Sequence, residues 1–469
     1  MQYHAKPEQD PTRRQNGTNS VVNSKPESQQ TEAAFPDPRY AWYVVFILFL
    51  AYVVSFLDRQ ILSLLVEPIK ADLEISDTTL SLLHGFTFAL FYTVFGLPLG
   101  RMADRHRRTW LMMGGVALWS AMTAACGFAR NTLMLFMARV GVAVGEAALS
   151  PSAYSVISDY FPRSKRGRAI SLYSLGIFAG AGLAYIFGGL VTEVASHSVS
   201  SGWPLLAQFK PWQLTFIITG LPGLLIILLL LTVREPVRRE RVSGARSGLS
   251  LGETVAYLRQ HFRVYFALLV GNSFIALGNY ALFAWLPAYF IRVFGYTPGQ
   301  IGKTFGTIIL VFGTAGLLLG GVLADIRYRK GSLGAHYNIT VGLAAFAIVP
   351  AALLLAGRGE QVQLALVAVL VCCGAVSTGL VPAAMQLITP NELRGQVAAL
   401  YLLLSALVGL GLGPTLVALL VDFHFRDTMA VGNALAIVLC TTLSVAVLLM
   451  SWGRNPYLQR QRQFTRGIM

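Results

Sequence analysis

Four ionisable side chains stand inside stretches that are otherwise apolar: Asp58 and Arg59 in Phe56-Leu57-Asp58-Arg59, and Arg139 and Glu146 in Arg139-Val-Gly141-Val-Ala-Val-Gly145-Glu146-Ala147. An unneutralised charge in hydrocarbon costs several kcal/mol, with values from about 2.5 kcal/mol upward, so such residues are functional candidates whose partners must be found. Arg139 and Glu146 are seven positions apart and share one helix face. A carboxylate desolvated there is suited to taking up and releasing a proton, and a guanidinium pairs bidentately with carboxylate or phosphate. Asp58 or Glu146 paired with Arg139 is the expected charge network, with Asp58 and Glu146 as candidates for proton exchange. The alternative is a permanent salt bridge that only holds two helices together. His84 is another candidate titrating group, or a hydrogen-bonded packing histidine.

These residues need elements that carry them through an apolar phase. Of 469 residues, 55% are hydrophobic and 13% charged, against roughly 25% charged in an ordinary soluble domain. Apolar runs of about 20 residues or more recur, each long enough to cross a hydrocarbon core of roughly 30 Å as a helix. Twelve are read, near 41–66, 78–101, 108–128, 131–157, 166–193, 212–232, 262–292, 299–324, 336–356, 361–388, 394–421 and 428–452. Asp58 lies about eight residues before the first ends and Arg139 about eight after the fourth begins. At about 1.5 Å per residue, both stand roughly 12 Å deep from the same side. The expected class is an all-α, multi-pass protein of the cell membrane.

Basic residues follow the second, fourth and eighth runs, as Arg101, Arg105, Arg107 and Arg108, then Arg163, Lys165, Arg166 and Arg168, then Arg327, Arg329 and Lys330. The opposite loops carry Glu67, Asp72, Glu74, Asp77, Asp422 and Asp427, so the excess of Lys and Arg places both termini in the cytoplasm. The net charge of +15 is dispersed over alternate loops, which speaks against a nucleic-acid-binding domain. All four cysteines, Cys126, Cys372, Cys373 and Cys440, fall in apolar runs, and no disulfide, metal or cofactor is expected. Gly248-Leu-Ser250-Leu-Gly252 fits a hydrolase nucleophile pattern but sits in a polar linker without the strand, helix, His and acid that chemistry needs, so an enzyme is not expected. Asn16-Gly-Thr18 fits a glycosylation acceptor on the cytoplasmic side, where it would not be used.

Residues 1–38 are polar and read as a disordered tail. The organisation expected is a half over 39–232, a linker over 233–261, a second half over 262–453 and a basic tail over 454–469. Leu249 to Arg263 is amphipathic and basic, as a helix on the cytoplasmic surface would be. The halves repeat: Gly100-Arg-Met-Ala-Asp104 corresponds to Gly321-Val-Leu-Ala-Asp325, and Pro162, Arg166-Gly167 and Tyr173 correspond to Pro390, Arg394-Gly395 and Tyr401. Gly141-x-x-x-Gly145, Gly176-x-x-x-Gly180 and Gly316-x-x-x-Gly320 permit close helix approach, for static packing or for sliding.

Gly100-Arg-Met-Ala-Asp104-Arg105-His106-Arg107-Arg108 resembles the cytoplasmic signature of the major facilitator superfamily, with Arg107 where that pattern has Gly. The resemblance implies two six-helix halves with a solute site near the midplane between them, and a cytoplasmic gate formed by Gly100, Asp104, Arg105, Arg108 and Asp325; a positive-inside loop with no gating role is the alternative. The Asp58-Arg59 and Arg139…Glu146 segments, with Phe161-Pro162-Arg163-Ser164-Lys165-Arg166-Gly167-Arg168-Ala169, resemble the Spinster branch over most of the first half. That implies an amphiphilic anion such as a lysophospholipid or a sphingosine phosphate-like lipid as the solute; the superfamily resemblance implies secondary transport by alternating access by a monomer among membrane lipids, and the buried carboxylates make proton coupling the expectation. Arg59 and Arg139 would bind the head, with Asn272, Asn279, Tyr280 and Gln386 lining the cavity or serving as interhelical hydrogen bonders. The second half, poorer in intramembrane charge, would offer an apolar pocket for the tail. The competing expectations are an exporter of drugs or small organic anions and a non-transporting sensor.

Overall fold

The computed structural model describes residues 35–200, 208–238, 251–357, 359–390 and 393–465. The tail over 1–34, the Asn16-Gly-Thr18 triplet, Gly248 to Ser250 and the last four residues lie outside them. Twelve helices are long and apolar enough to cross a membrane: α1 Pro38–Leu64, α2 Asp77–Arg105, α3 Arg108–Cys126, α4 Thr132–Tyr160, α5 Lys165–Ser200, α6 Pro211–Leu231, α7 Phe262–Phe294, α8 Pro298–Arg329, α9 Ala335–Ala356, α10 Glu360–Gln386, α11 Arg394–Phe425 and α12 Thr428–Thr465. Side chains set their ends. Asp37 and Asn131 accept from the amides of Arg39 and Met134 at the starts of α1 and α4, and Thr297 with Gln300 closes a capping box at Pro298. Gly295, at φ 70°, stops α7 in the left-handed conformation that glycine adopts freely. Leu221, Leu224, Leu225, Leu228 and Leu231 leave an exposed leucine face on α6, as a helix that meets lipid must.

The repeat read in the sequence appears as two matching sets of packed helices. In one, α5 lies along α1 and α3 along α4; in the other, α12 lies along α7 and α10 along α8. The three Gly-x-x-x-Gly pairs pack within a half, against α3, α1 and α10 respectively. The basic segment after 453 is no separate tail: it continues α12 to Thr465, with Tyr457 buried. The expected surface helix runs Leu251–Gln260, and Arg460 of α12 donates to its Tyr257 hydroxyl at 2.7 Å, which fixes it to the second half.

Between the halves, α5 meets α8 and α2 meets α11. The contact lies at the end remote from the termini. A Cβ on Gly306 of α8 would stand 2.5 Å from the Gly182 carbonyl of α5, so only glycine permits that seam. Arg292 at the end of α7 holds both oxygens of Asp77 at 2.8 Å and Glu67 at 2.7 Å, and Asp422 of α11 accepts from the Thr78 amide and hydroxyl at 2.7 Å. At the face carrying the termini, Arg394–Leu404 of α11 packs on α7 and α10 of its own half. Among the described residues, the contacts that join the halves gather at the end remote from the termini.

Candidate functional site: a buried charge centre

The four intramembrane charges converge, with the Asp58 carboxylate beside Arg139 as one of the two expected pairings had it, and Glu146 on Arg59 instead of Arg139. All are buried, Asp58 and Arg139 completely. Arg59 Nη2 donates to Glu146 Oε2 at 2.5 Å, and Ser55, one turn earlier on α1, donates to the same oxygen at 2.8 Å. Arg139 Nη1 instead donates to the Asp58 backbone carbonyl at 3.0 Å. The reason is direction. Helical side chains lean toward the N-terminus of their own helix, so Arg59 reaches back along α1 toward Ser55 and Glu146 reaches back along antiparallel α4 to meet it. Arg139, two turns nearer the start of α4, leans the same way as Glu146 and therefore away from that pair, toward the Asp58 carbonyl. The Asp58 carboxylate stands beside Thr123 and Arg139, off hydrogen-bond geometry and with no salt bridge among the described residues.

Aromatic faces surround the Arg59 cation, with Phe88, Phe56 and Tyr92 centroids at 4.6, 5.1 and 5.5 Å. Cation–π contact at such distances stabilises a guanidinium that has left water. His84 lies in a π-helical turn of α2, Leu82–Phe86, in the electrostatic field of Arg139 and Arg59. From the other half, Tyr280 packs on Gly409 of α11 and also lies in the field of Arg59. Asn272 donates to Ser405 at 3.2 Å beside Tyr401. The second half therefore brings hydroxyls and an amide toward the centre, which corrects the expectation of a plainly apolar pocket.

Two expected lining residues stand elsewhere. Asn279 turns into the seam with α10, where a Cβ on Gly374 would be 2.2 Å from its oxygen. Gln386 is the exposed last residue of α10. Both were read from polarity within an apolar run, which does not say which way a helix face points.

Among the expected gate residues, Asp104 and Arg105 are exposed, Gly100 packs loosely toward Pro151, and Asp325 lies 3.7 Å from His336 of its own half. Arg108 is buried in a clamp confined to the first half and its linker. It pairs with Asp159 and, at 2.7 Å, with Glu235, while the Thr109 amide and hydroxyl donate to Glu235 at 2.9 Å. Burial pushes the Glu235 carboxyl up, but hydrogen bonds from the Thr109 amide and Arg108 outweigh it and hold the group below its usual range. Arg292 and Asp77, which join the halves at the other end, were not singled out in the sequence. Their signal was an arginine at the acidic end of a span.

Residues 48–414 match the family model described as Major Facilitator Superfamily. An MFS-type efflux pump of Mycolicibacterium smegmatis is 28% identical over 415 residues, 88% of this chain and 92% of that one. Protein spinster of Drosophila melanogaster is 25% identical over 304 residues, 62% of this chain and 47% of that one, so the chain spans about half the length of that relative. A solved bacterial homologue of the human lysosomal transporter Spinster, inward-facing and unoccupied, superposes with a TM-score of 0.72 at 24% identity, covering 92% of this chain and 99% of that one.

Proposed function

The chain belongs to the major facilitator superfamily as a Spinster-like multi-pass membrane transporter, and from that premise we propose that it carries an anionic amphiphile with protons by alternating access. The basic loops put the termini in the cytoplasm, so in this reading the joined end is extracellular, closed to solute, and solute enters from the cytoplasm. The observation that carries this reading is the buried Arg59–Glu146 contact at 2.5 Å. A guanidinium held by a carboxylate inside a membrane is neutral as a pair. An anionic head that takes Arg59 displaces Glu146, which then accepts a proton from water; the Arg59–head pair and the neutral acid again sum to zero. Only a centre without net charge crosses at tolerable cost. Proton and anion therefore move together. The Asp58 carboxylate beside Arg139 is a second place for a proton, and the lipid substrate class rests on the Spinster resemblance.

A specific observation favours a second reading, export of a small organic anion or drug. Tyr280, Tyr401, Asn272 and Ser405 offer polar groups where a lipid tail would lie, and the efflux-pump relative matches over most of both chains. Purified protein in liposomes, loaded with labelled lysophospholipid and challenged with a short-chain organic anion, separates the two: competition by lysolipids alone supports the amphiphile, competition by the anion alone supports the second. Flux of neither would support a sensor that does not transport.

A further inference from the structure

We propose that the halves close the outer end of the pathway by docking on helix carbonyls that proline leaves without their usual donor, and that Tyr185 is the positioning residue of that contact. Pro287 lies inside α7 and has no N–H, so the Phe283 carbonyl four residues earlier loses its helical partner. A buried carbonyl must be paired by something else. Here the partner comes from the opposite half: Tyr185 of α5, completely buried, donates its hydroxyl to the Phe283 carbonyl at 2.5 Å. Its oxygen in turn accepts from Ser63 of α1 at 3.2 Å, and its ring packs on Phe305 of α8 at 4.9 Å between centroids.

A second proline-marked carbonyl faces the first half between α2 and α11, here by close packing. Pro414 has no N–H to give to the Leu410 carbonyl, and that oxygen faces Gly85, where a Cβ would sit 2.4 Å away. Gly85 belongs to the π-helical turn that also carries His84. Both proline-marked carbonyls belong to the second half, both face the first, and both lie inward of the Arg292–Asp77 link. They form a deeper layer of the closed end.

Transport requires this layer to part. When it does, the Phe283 carbonyl exchanges a dry hydroxyl for water entering from outside, so the bond biases the protein toward its inward-open state. The inference rests on the closed end being the outer gate and not on the identity of the solute.

Spin labels at Ala71→Cys and Met429→Cys, both exposed at the closed end, report its width in full-length protein whose four native cysteines are replaced by alanine. The parent is expected to show one short distance. Tyr185→Phe keeps the ring and removes the donor, and should raise the open-to-closed ratio about two- to tenfold, the worth of one neutral hydrogen bond. Pro287→Ala restores a helical N–H for Phe283, so in that background Tyr185→Phe should change the ratio less than about twofold. Gly85→Ala should widen the distance as well, while Gly96→Ala, with open space around it, should not. An unchanged distribution in Tyr185→Phe, or an equal shift in the Pro287 and Pro287→Ala backgrounds, would overturn the proposal. A parent already open at this end would instead refute the outer-gate reading beneath it.

Discussion

Arg59 and Glu146 stand on antiparallel helices and each side chain leans toward its own N-terminus, which closes Nη2 on Oε2 to 2.5 Å and leaves Oε1 without a hydrogen bond. The pair is buried, with Ser55 on the Glu146 carboxylate and three aromatic rings around the Arg59 guanidinium. Binding and protonation thus meet on one contact.

Glu146→Gln keeps the shape and removes the charge that competes for Arg59. Anion binding should survive or tighten while the pH dependence of flux flattens. Binding and flux measured across a pH series check both; an unaltered pH profile would remove Glu146 from proton coupling.

Arg139→Ala leaves Asp58 buried without its neighbouring cation. Removing the neighbouring cation leaves that buried carboxylate uncompensated, so thermal unfolding in detergent should fall clearly. Asp58→Asn in the same chain should recover most of the loss, because the charge that needed Arg139 is gone. Absence of recovery would show that Arg139 matters for its bond to the Asp58 carbonyl and not for charge.

Arg292→Ala releases Asp77 and Glu67 from the other half, leaving Asp77 to Lys70. The protein should populate outward-open forms more, and outer-cavity positions should react faster with membrane-impermeant thiol reagents. A double-mutant cycle with Asp77→Ala should give a coupling of about 0.5–3 kcal/mol. Additive effects would mean that the link does not hold the outer gate.

Glu235 supplies a pH test outside the membrane. Its carboxyl is depressed in the folded protein, so its contribution to stability is present above the unfolded value and is lost as pH falls through the folded one. Glu235→Gln should lower the unfolding temperature at neutral pH, and the gap to the parent should narrow on acidification. A gap independent of pH would mean that Glu235 acts by shape alone.

Much of this was legible in the sequence because the bilayer is a strict solvent. Twelve apolar runs translate into twelve helices, and the Gly100–Asp104 and Gly321–Asp325 echo marks the two halves. The charges of the centre were equally visible, since nothing else explains Asp58, Arg59, Arg139 and Glu146 in hydrocarbon. The partner of Glu146 was not, because seven-residue spacing gives a shared face but not the tilt of side chains on an antiparallel neighbour. Asn279 and Gln386 failed for a related reason: polarity marks a residue as needing a partner without saying on which side the partner lies. Arg292 and Tyr185 were hidden because their partners, Asp77 and the Phe283 carbonyl, lie on the other half of the chain.

The central claim is that Arg59 takes the anion while Glu146 takes a proton, so that the two move together. The most direct measurement is pH-gradient-driven flux of labelled lysophospholipid in proteoliposomes, with parent, Arg59→Ala and Glu146→Gln at matched amounts of folded protein. Gradient-dependent flux in the parent, loss in Arg59→Ala and gradient-independent exchange in Glu146→Gln is the result expected. Parent flux that ignores the gradient, or persists in Arg59→Ala, would contradict it.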